Sequence, residues 1–550
     1  MNNKDLANLI FPDIDKDINY YLEKYSSRDL KEGEKVTRFA PSPTGFIHLG
    51  GFYQAIIDFV MAKNSNGIFY LRNEDTDTKR EVKEATKLIM DTLNHYNIIP
   101  NEYEFDGKVV GNYGPYVQSE RKEIYHAFIK HLIEIGRAYP CFCSKEDLEE
   151  LRQKQEGRKF RTGYYGKWAK CRILPVEEQI KRINEGQSYV IRFKSNGNFD
   201  HKFKFEDQVK GKLELPENDE DFIIMKSNDK LPTYHFAHIV DDTLMHTTHV
   251  VRGEEWLSSL PKHLELFRAF DFKAPKYVHT PLLIKKEGNS VRKISKRKDP
   301  EASMTYYKEK GYPTLAVIEA LMTIINSNYE AWHDANPDKK FYEFEYSPKK
   351  MSSSGAFFDL DKLDNISRNV ISKMKASEVY DELLAWTLEY DLEFAEILKN
   401  KKEYSINLFN IEREQKKPRK DFVYYSDIKN QVWYMYNEYF DNYDKEYDFK
   451  NITDKEEIKK ICNTYIEKYY DINDDKDTWF NKVKLLCDEL GYASDMKAYK
   501  ENPDNFKGNV ADVSTVIRVA ITTRSMTPDL YEILRLLKTE EIKRRIDMIK

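Results

Sequence analysis

Short apolar runs and longer runs of helical character alternate in the first part of the chain. Residues 36–40 form one short run, and residues 52–62 are apolar over a length that favours a helix. Residues 41–45, between them, contain two prolines and a glycine and cannot continue a helix. Residues 67–71 are a second short run that begins at a glycine, as buried parallel strands often do. The pattern predicts strand, loop, helix and strand, the order of a parallel α/β sheet.

Other patterns extend this prediction along the chain. Residues 1–34 carry apolar side chains at near-helical spacing, which favours one or two helices packed outside the sheet; an interaction tail is the alternative. Ile124, Phe128, Leu132 and Ile135 predict another helix, whereas residues 187–226 alternate apolar and polar positions as strands do. From residue 375 onward the chain is charged, amphipathic and aromatic. We therefore expect an α/β region with a mixed insertion, followed by helices.

Composition favours a multidomain protein of a reducing compartment. The 550 residues exceed what one core holds, and 40% hydrophobic residues suffice for several cores. No apolar run approaches the roughly 20 residues that cross a bilayer, and the acidic N-terminus is unlike a signal peptide. Five cysteines argue against a disulfide framework, so we expect a cytoplasmic protein. The net charge of −5 argues against indiscriminate coating of nucleic acid.

The loop before the first helix is a candidate anion site. The carboxyl end of a parallel strand and the N-terminus of the next helix face one crevice, which suits a ligand such as ATP. His48 can donate a proton or a hydrogen bond to a phosphate oxygen, and Gly50 and Gly51 let a purine lie against the backbone. Any strand-to-helix turn can hold a histidine and glycines, so this loop alone does not decide the function.

A cationic run at residues 292–297 is the second candidate. Its Lys293 and Lys296 could close over a triphosphate, although such a run is usually a solvated face.

The two stretches HLGG and RKISKR, in this order and with room for an inserted domain between them, resemble the paired motifs of class I aminoacyl-tRNA synthetases. TRFAPSPTGFIHLGG, LRNEDTD, PTYHFAHIVDD and VVRGEEW narrow the resemblance to the glutamyl-tRNA synthetases, strongly over the first two thirds of the chain. The resemblance implies an α/β fold: a Rossmann-type parallel-sheet catalytic domain with an inserted α+β acceptor-binding domain, followed by an all-helical anticodon-binding region.

The resemblance also implies domain limits. They are an N-terminal helical extension (1–34), the first half of the catalytic domain (35–114), the inserted acceptor-stem-binding domain (115–231), the second half of the catalytic domain (232–290), the KISKR loop with a stem-contact connector (291–374) and the helical anticodon-binding domain (375–550).

Site residues follow from the matching motif positions. The implied catalytic residues are His48, Lys293 and Lys296; with Gly50, Gly51 and Ser295 they bind ATP, which is accompanied by Mg²⁺. The implied glutamate-binding residues are Arg38, Ala40, Ser42, Glu74, Tyr234 and Arg252.

The charge of two of these residues, Arg38 and Arg252, is a physical argument for glutamate as the ligand. If Arg38 and Arg252 end neighbouring strands of one sheet, their guanidinium groups offer forks for two carboxylates, which free glutamate presents. Glutamine would turn an amide donor toward an arginine and be rejected. The alternative is that either arginine neutralises Glu74, Asp75 or Asp77.

Three cysteines form a candidate metal site. Cys141, Cys143 and Cys171 could supply three ligands of a tetrahedral Zn²⁺. Some relatives complete such a site with a tyrosine, and Tyr165 is the candidate here; buried reduced thiols without metal are the alternative.

The resemblance implies that the protein joins L-glutamate to the 3′ end of tRNA(Glu) through a glutamyl-adenylate. Nothing in the sequence demands a partner chain, so we expect a monomer. The alternatives are an enzyme that also charges tRNA(Gln), a glutaminyl-tRNA synthetase, a shorter relative that glutamylates a modified base, and a non-catalytic RNA-binding relative. The long C-terminal region argues against the shorter relative. The presence of His48, Lys293 and Lys296 argues against the non-catalytic relative.

Overall fold

A computed structural model describes residues 1–43, 45–77 and 84–549. The chain divides into two units: unit 1 comprises Met1–Tyr307 and Val317–Leu360, and unit 2 comprises Lys308–Ala316 and Asp361–Lys550.

The regular elements are numbered here in chain order. The strands are β1 (Val36–Phe39), β2 (Ile68–Leu71), β3 (Tyr103–Phe105), β4 (Lys108–Val110), β5 (Ala138–Cys141), β6 (Val190–Phe193), β7 (Lys202–Asp207), β8 (Gly211–Pro216), β9 (Ile223–Met225), β10 (His249–Gly253), β11 (Lys276–Thr280), β12 (Leu283–Glu287), β13 (Ser290–Lys293) and β14 (Ala356–Phe357). The helices are α1 (Asn3–Ile10), α2 (Ile18–Lys24), α3 (Leu49–Asn64), α4 (Ala85–His95), α5 (Lys122–Glu134), α6 (Lys145–Gly157), α7 (Val176–Asn184), α8 (Tyr234–Leu244), α9 (Leu260–Ala269), α10 (Met304–Lys310), α11 (Thr314–Ile325), α12 (Tyr329–Ala335), α13 (Leu360–Lys373), α14 (Ala376–Tyr390), α15 (Leu392–Asn400), α16 (Lys402–Asn410), α17 (Tyr425–Val432), α18 (Asn437–Phe440), α19 (Lys455–Thr464), α20 (Lys476–Leu490), α21 (Met496–Glu501), α22 (Val510–Thr522) and α23 (Leu530–Asp547).

Two parallel strand pairs form the centre of unit 1. Strands β1 and β2 pair in parallel with helix α3 between them in sequence, and β10 pairs in parallel with β11. Thr248, just before β10, joins the two pairs: its amide donates to the Val36 carbonyl (3.0 Å), and its hydroxyl accepts from the Val36 amide (2.8 Å). Further along the same strands, Arg38 of β1 donates to the Val251 carbonyl of β10 (3.1 Å), so their carboxyl ends also lie close together, and the site is built there.

The insertion between the two parallel pairs is mixed. Strands β5, β6 and β9 form an antiparallel sheet, and β7 and β8 form an antiparallel hairpin. The predicted helix is α5, which packs with α1 and α2 in one hydrophobic core. The N-terminal residues thus form two helices on unit 1. Ile135 departs from the predicted apolar face, because it lies just beyond the end of α5 and is 48% exposed.

Unit 2 is helical throughout the residues that the structure describes. Its core gathers aromatic and aliphatic side chains from α14 to α23, among them Tyr436, Phe440 and Ile517. The N-cap of the last helix, α23, is Asp529, whose side chain accepts from the Glu532 amide (3.1 Å). In the described part of the chain no helix has the length and apolar character needed to span a membrane.

Candidate functional site

A cavity of about 620 Å³ opens where β1 and β10 end and α3 begins. Its wall includes nine of the residues expected at the site: Arg38, Ala40, Ser42, His48, Gly51, Glu74, Tyr234, Arg252 and Lys296. A neighbouring cavity of about 330 Å³ shares His48 and Gly51 and adds Gly50 and Lys293. Thus one end of this region is cationic and the other carries two arginines and a carboxylate.

His48 is the N-cap of α3. Its Nδ1 accepts a hydrogen bond from the Gly50 amide (2.9 Å), so the proton of a neutral ring sits on Nε2. Burial, and then the charges of Lys296 and Lys293, lower the pKa of His48 to about 4. His48 is therefore neutral at pH 7 and offers a hydrogen bond from Nε2. The sequence left open whether His48 donates a proton or a hydrogen bond to a ligand, and this geometry favours the hydrogen bond.

The cationic run is organised by an acidic residue at its end. Arg292 donates two hydrogen bonds to Asp299 (2.6 and 2.8 Å), and Asp299 also accepts from the Ser295 amide (2.8 Å). Lys296 remains available and donates to the Phe46 carbonyl (3.3 Å), in the loop that carries His48. The structure thus brings His48 and Lys296 to the same cavity. Sequence reasoning missed Asp299, although a carboxylate seven positions after Arg292 was the available signal.

Arg38 has a different partner from those considered in the sequence. It donates from Nη1 to the Val251 carbonyl (3.1 Å), and its Nε lies 3.4 Å from an Asp242 oxygen. Burial opposes the charge of Arg38, but Asp242 raises its pKa on balance. Glu74 pairs with Arg72 (2.9 Å), and burial raises the pKa of Glu74 although Arg72 opposes this. Arg72 and Asp242, both fully buried and both missed by the sequence analysis, thus join the end of β2 to helix α8.

Asp75 and Arg252 do not form the arginine–carboxylate pair that the sequence left open as an alternative to glutamate binding. Asp75 accepts from the amide of Ser119 (2.8 Å). Arg252 makes its side-chain hydrogen bonds to two histidines, His279 and His263. Tyr234 lies beside Arg252, and its ring packs on Trp256 with centroids 4.4 Å apart. The cavity wall therefore contains one arginine, Arg252, with no carboxylate ion-pair partner among the described residues.

The three predicted cysteines form a cluster. Their sulfur atoms all lie within 4.8 Å of one another, and those of Cys143 and Cys171 are 3.7 Å apart. Sulfurs at about 2.3 Å from a tetrahedral Zn²⁺ are separated by about 3.8 Å, so the cluster fits zinc.

Tyr164, and not the predicted Tyr165, is the tyrosine whose hydroxyl lies beside this cluster. The Tyr164 hydroxyl lies 3.4 Å from Cys141 and 3.3 Å from Cys143, whereas the Tyr165 hydroxyl donates to the Arg161 carbonyl (2.6 Å). Tyr165 has extended backbone angles, and neighbouring side chains on extended backbone point to opposite sides. The sequence spacing alone could not tell which of the two tyrosines faces inward.

Comparisons with known proteins agree with this architecture. Residues 34–365 match the family model of the tRNA synthetases class I (E and Q), catalytic domain. The glutamate–tRNA ligase of Clostridium perfringens strain 13 is 49% identical over 99% of this chain and 100% of its own length. That of Acetivibrio thermocellus is 49% identical over the whole of both chains.

A solved structure shows the same fold. The glutamate tRNA ligase of Elizabethkingia meningosepticum, crystallised with its amino acid, superposes with a TM-score of 0.74 at 25% identity, over 94% of this chain and 99% of that one. The predicted fold class is therefore confirmed. With a catalytic-domain match over more than half its length and two relatives that match it nearly end to end, the chain belongs to the glutamate–tRNA ligase family of class I tRNA synthetases.

Proposed function

We propose that this protein joins L-glutamate to the 3′ end of tRNA(Glu) through a glutamyl-adenylate, at the expense of ATP. The observation that carries the proposal is the single cavity with His48 and Lys296 at one end and Arg38, Glu74 and Arg252 at the other. Free glutamate has two carboxylates and an ammonium group, and ATP has a polyanionic tail. The two ends of the cavity match these two charge patterns.

The ATP end stabilises charge on the phosphates. An oxygen of the glutamate α-carboxylate attacks the α-phosphorus, a new P–O bond forms, and the bond to the β-phosphate breaks with departure of pyrophosphate. The His48 Nε2–H donates to the α-phosphate, and Lys293 and Lys296 stabilise the leaving pyrophosphate; Gly50, Gly51 and Ser295 border the nucleotide. Such a reaction needs positioning and charge stabilisation more than a protein base. When bound to the triphosphate, Mg²⁺ would neutralise part of its charge.

The glutamate end selects the amino acid. Arg38 and Arg252 bind carboxylates, Glu74 accepts from the α-ammonium group, and Tyr234, Ala40 and Ser42 border the side chain. An amide in place of the γ-carboxylate would leave a buried arginine without an anionic partner. In the second step a hydroxyl of the terminal ribose attacks the activated carbonyl carbon, the ester forms and AMP leaves.

The test is glutamate-dependent exchange of pyrophosphate into ATP with tRNA present. We expect exchange in the unaltered protein and a fall of about 100-fold in Lys296→Ala, because a charge contact to the leaving group is lost. Lys298→Ala, an exposed lysine two positions later, is the matched control and should retain exchange. Full exchange in Lys296→Ala would contradict the assigned role, and absence of exchange in the unaltered protein would contradict the function.

We further propose tRNA(Glu) as the nucleic-acid partner. The helical unit 2, without a strand among its described residues, favours this enzyme over a glutaminyl-tRNA synthetase, which ends in β-barrels. Charging assays with purified tRNA(Glu) and tRNA(Gln) would show whether the second tRNA is also a substrate.

The metal and the compartment complete the proposal. Cys141, Cys143, Cys171 and Tyr164 would hold a structural Zn²⁺ in the insertion. The five cysteines form no disulfide, which suits a reducing cytoplasm. We expect a monomer.

A further inference from the structure

The guanidinium group of Arg252 is held by neutral side chains. Its Nε donates to His279 Nε2 (3.0 Å) and its Nη1 bonds to His263 Nδ1 (2.9 Å). The ring of Tyr277 covers one face of the group, with its centroid 4.6 Å from Cζ. The arginine side chain is almost fully buried, so its orientation is determined by these three residues together with Tyr234, which lies beside it.

An arginine only donates hydrogen bonds, and this determines where each imidazole carries its proton. His279 must accept at Nε2, so its proton is on Nδ1, which donates to Asp207 (2.7 Å). His263 must accept at Nδ1, so its proton is on Nε2, which donates to His235 Nδ1 (2.9 Å). Each of these histidines is neutral, and burial lowers the pKa of His279, His263 and His235.

Asp207 anchors one end of this arrangement. It is buried at the end of β7, where its Oδ1 accepts from the amides of Val209 (2.9 Å) and Lys210 (2.8 Å). Burial alone would raise the pKa of Asp207, but the hydrogen bonds from His279 and these amides hold it below its ordinary value. We call Asp207, His279, His263 and His235 the histidine cradle.

The third nitrogen of Arg252 is not used by the two histidines, and Tyr234 lies beside the guanidinium group. Nη2 is buried and has no hydrogen-bond partner of good geometry among the described residues, and Arg252 lines the cavity. By contrast, Arg72 forms ion pairs with Glu74 and Asp242, and Arg38 with Asp242. A carboxylate in direct contact would neutralise an arginine, whereas two imidazoles position Arg252 and leave its charge available.

We infer that the histidine cradle positions Arg252 for a carboxylate of glutamate, with His279 and His263 as neutral acceptors of fixed tautomer. The inference rests on the proposed function. His279 and His263 touch Arg252 and not the substrate, so they are positioning residues that determine selectivity for a carboxylate over an amide.

Paired amide substitutions test it, because glutamine can replace Nε2 of a histidine and asparagine can replace Nδ1. At position 279, His279→Gln keeps the acceptor for Arg252 and His279→Asn loses it. At position 263 the order reverses: His263→Asn keeps the acceptor and His263→Gln loses it. We expect the KM for glutamate to rise about tenfold or more in each variant that loses the acceptor and clearly less in its partner, with the KM for ATP nearly constant. General destabilisation would not produce opposite orders at the two positions.

His249→Asn and His249→Gln are the controls. His249 is a buried histidine at the start of β10, bonded to the Thr248 hydroxyl (2.9 Å), and it does not line the cavity. Both variants should leave the KM for glutamate within about twofold. The same order of asparagine and glutamine at positions 279 and 263, or an unchanged KM in all four variants, would overturn the inference.

Nitrogen NMR of histidine-labelled protein gives a second measurement that needs no activity. Neutral His279 with its proton on Nδ1 and neutral His263 with its proton on Nε2 would support the cradle, and either opposite tautomer would overturn it. An unaltered protein without glutamate-dependent exchange but with these tautomers would refute the proposed function while the cradle geometry stood.

Discussion

At the scale of single residues, the site depends on how each buried charge is paired. Arg72 and Arg38 share Asp242, and Arg252 has imidazole partners instead. Burying a charge is costly unless hydrogen bonds or an opposite charge compensate, so each of these arginines needs its neighbours. The differences between them indicate different tasks: Arg72 joins the end of β2 to α8, whereas Arg38 and Arg252 line the cavity.

Arg38→Lys tests the carboxylate-binding role at this scale. Lysine keeps a charge for Asp242 but loses the planar fork, so we expect the KM for glutamate to rise about tenfold and the KM for ATP to change little. Steady-state kinetics with each substrate varied in turn would measure both values.

Arg28→Lys is the matched control for Arg38→Lys. Arg28 is equally buried and donates two hydrogen bonds to Glu102, but it does not line the cavity. Its substitution should lower stability without changing the KM for glutamate. An equal effect of both substitutions on that KM would show that Arg38 acts only through the fold.

At the scale of elements, the local patterns predicted most of the framework. Runs of apolar residues located β1, α3 and β2, and the alternation in residues 187–226 located the strands of the insertion, because burial on one face or on two imposes these periods. The partners of the site could not be predicted in this way. Asp207 and His279 are 72 positions apart, and only the packing of β7 beside β11 brings them together. The choice of Tyr164 over Tyr165 likewise depends on backbone direction.

His48 has one role in a helix and another in the site, and substitutions can separate them. His48→Asn should keep the cap of α3, because asparagine is a good N-cap, but lose the Nε2–H that we propose donates to the α-phosphate. We expect nearly unchanged thermal stability and a loss of pyrophosphate exchange. His48→Ala should lose exchange and about 1 kcal/mol of stability. If His48→Asn retained exchange, the assigned hydrogen bond would be wrong.

The predicted zinc site would join β5 and the loop that follows it to the distant segment that carries Cys171. We expect about one zinc per chain by elemental analysis, and loss of zinc with a lower unfolding temperature in Cys143→Ser, because two distant segments are then no longer joined. Tyr164→Phe should weaken zinc retention against a chelator, whereas Tyr165→Phe should not. Equal retention in the two tyrosine variants would contradict the assignment of Tyr164.

At the scale of the whole molecule, the buried histidines, several of them at the site, make the stability of the folded protein depend on pH. Burial lowers the pKa in each case: to about 4 for His48, His235, His238 and His249, and to lower values than usual for His263 and His279. In the unfolded chain these groups titrate near pH 6.5. Between this pH and about 4 the unfolded state binds more protons, so acid favours unfolding.

The expected result is full stability above pH 6.5 and a progressive loss as the pH falls toward 4. Each histidine contributes up to about 1.4 kcal/mol per pH unit, so the unfolding temperature should drop by several degrees between pH 7.5 and 5. In the described part of the chain, burial raises the pKa of five carboxyl groups, which acts in the opposite sense but involves fewer groups than the six histidines: Asp58, Glu74, Glu120, Asp221 and Glu382. Circular dichroism melts would measure the trend, and an unfolding temperature that rose on acidification would contradict it.

The chain passes between its two units three times, after Tyr307, Ala316 and Leu360. The short segment 308–316 belongs with the C-terminal helices: Gly311 accepts from the Tyr425 amide (2.9 Å), and Tyr312 donates to Asp364 (2.6 Å). If recombination exchanged the whole of unit 2 between two relatives, the crossovers would therefore have to fall at all three of these borders. A hybrid made with one crossover at residue 360 would join borrowed helices to a foreign segment, and natural chimeras of that kind should be rare.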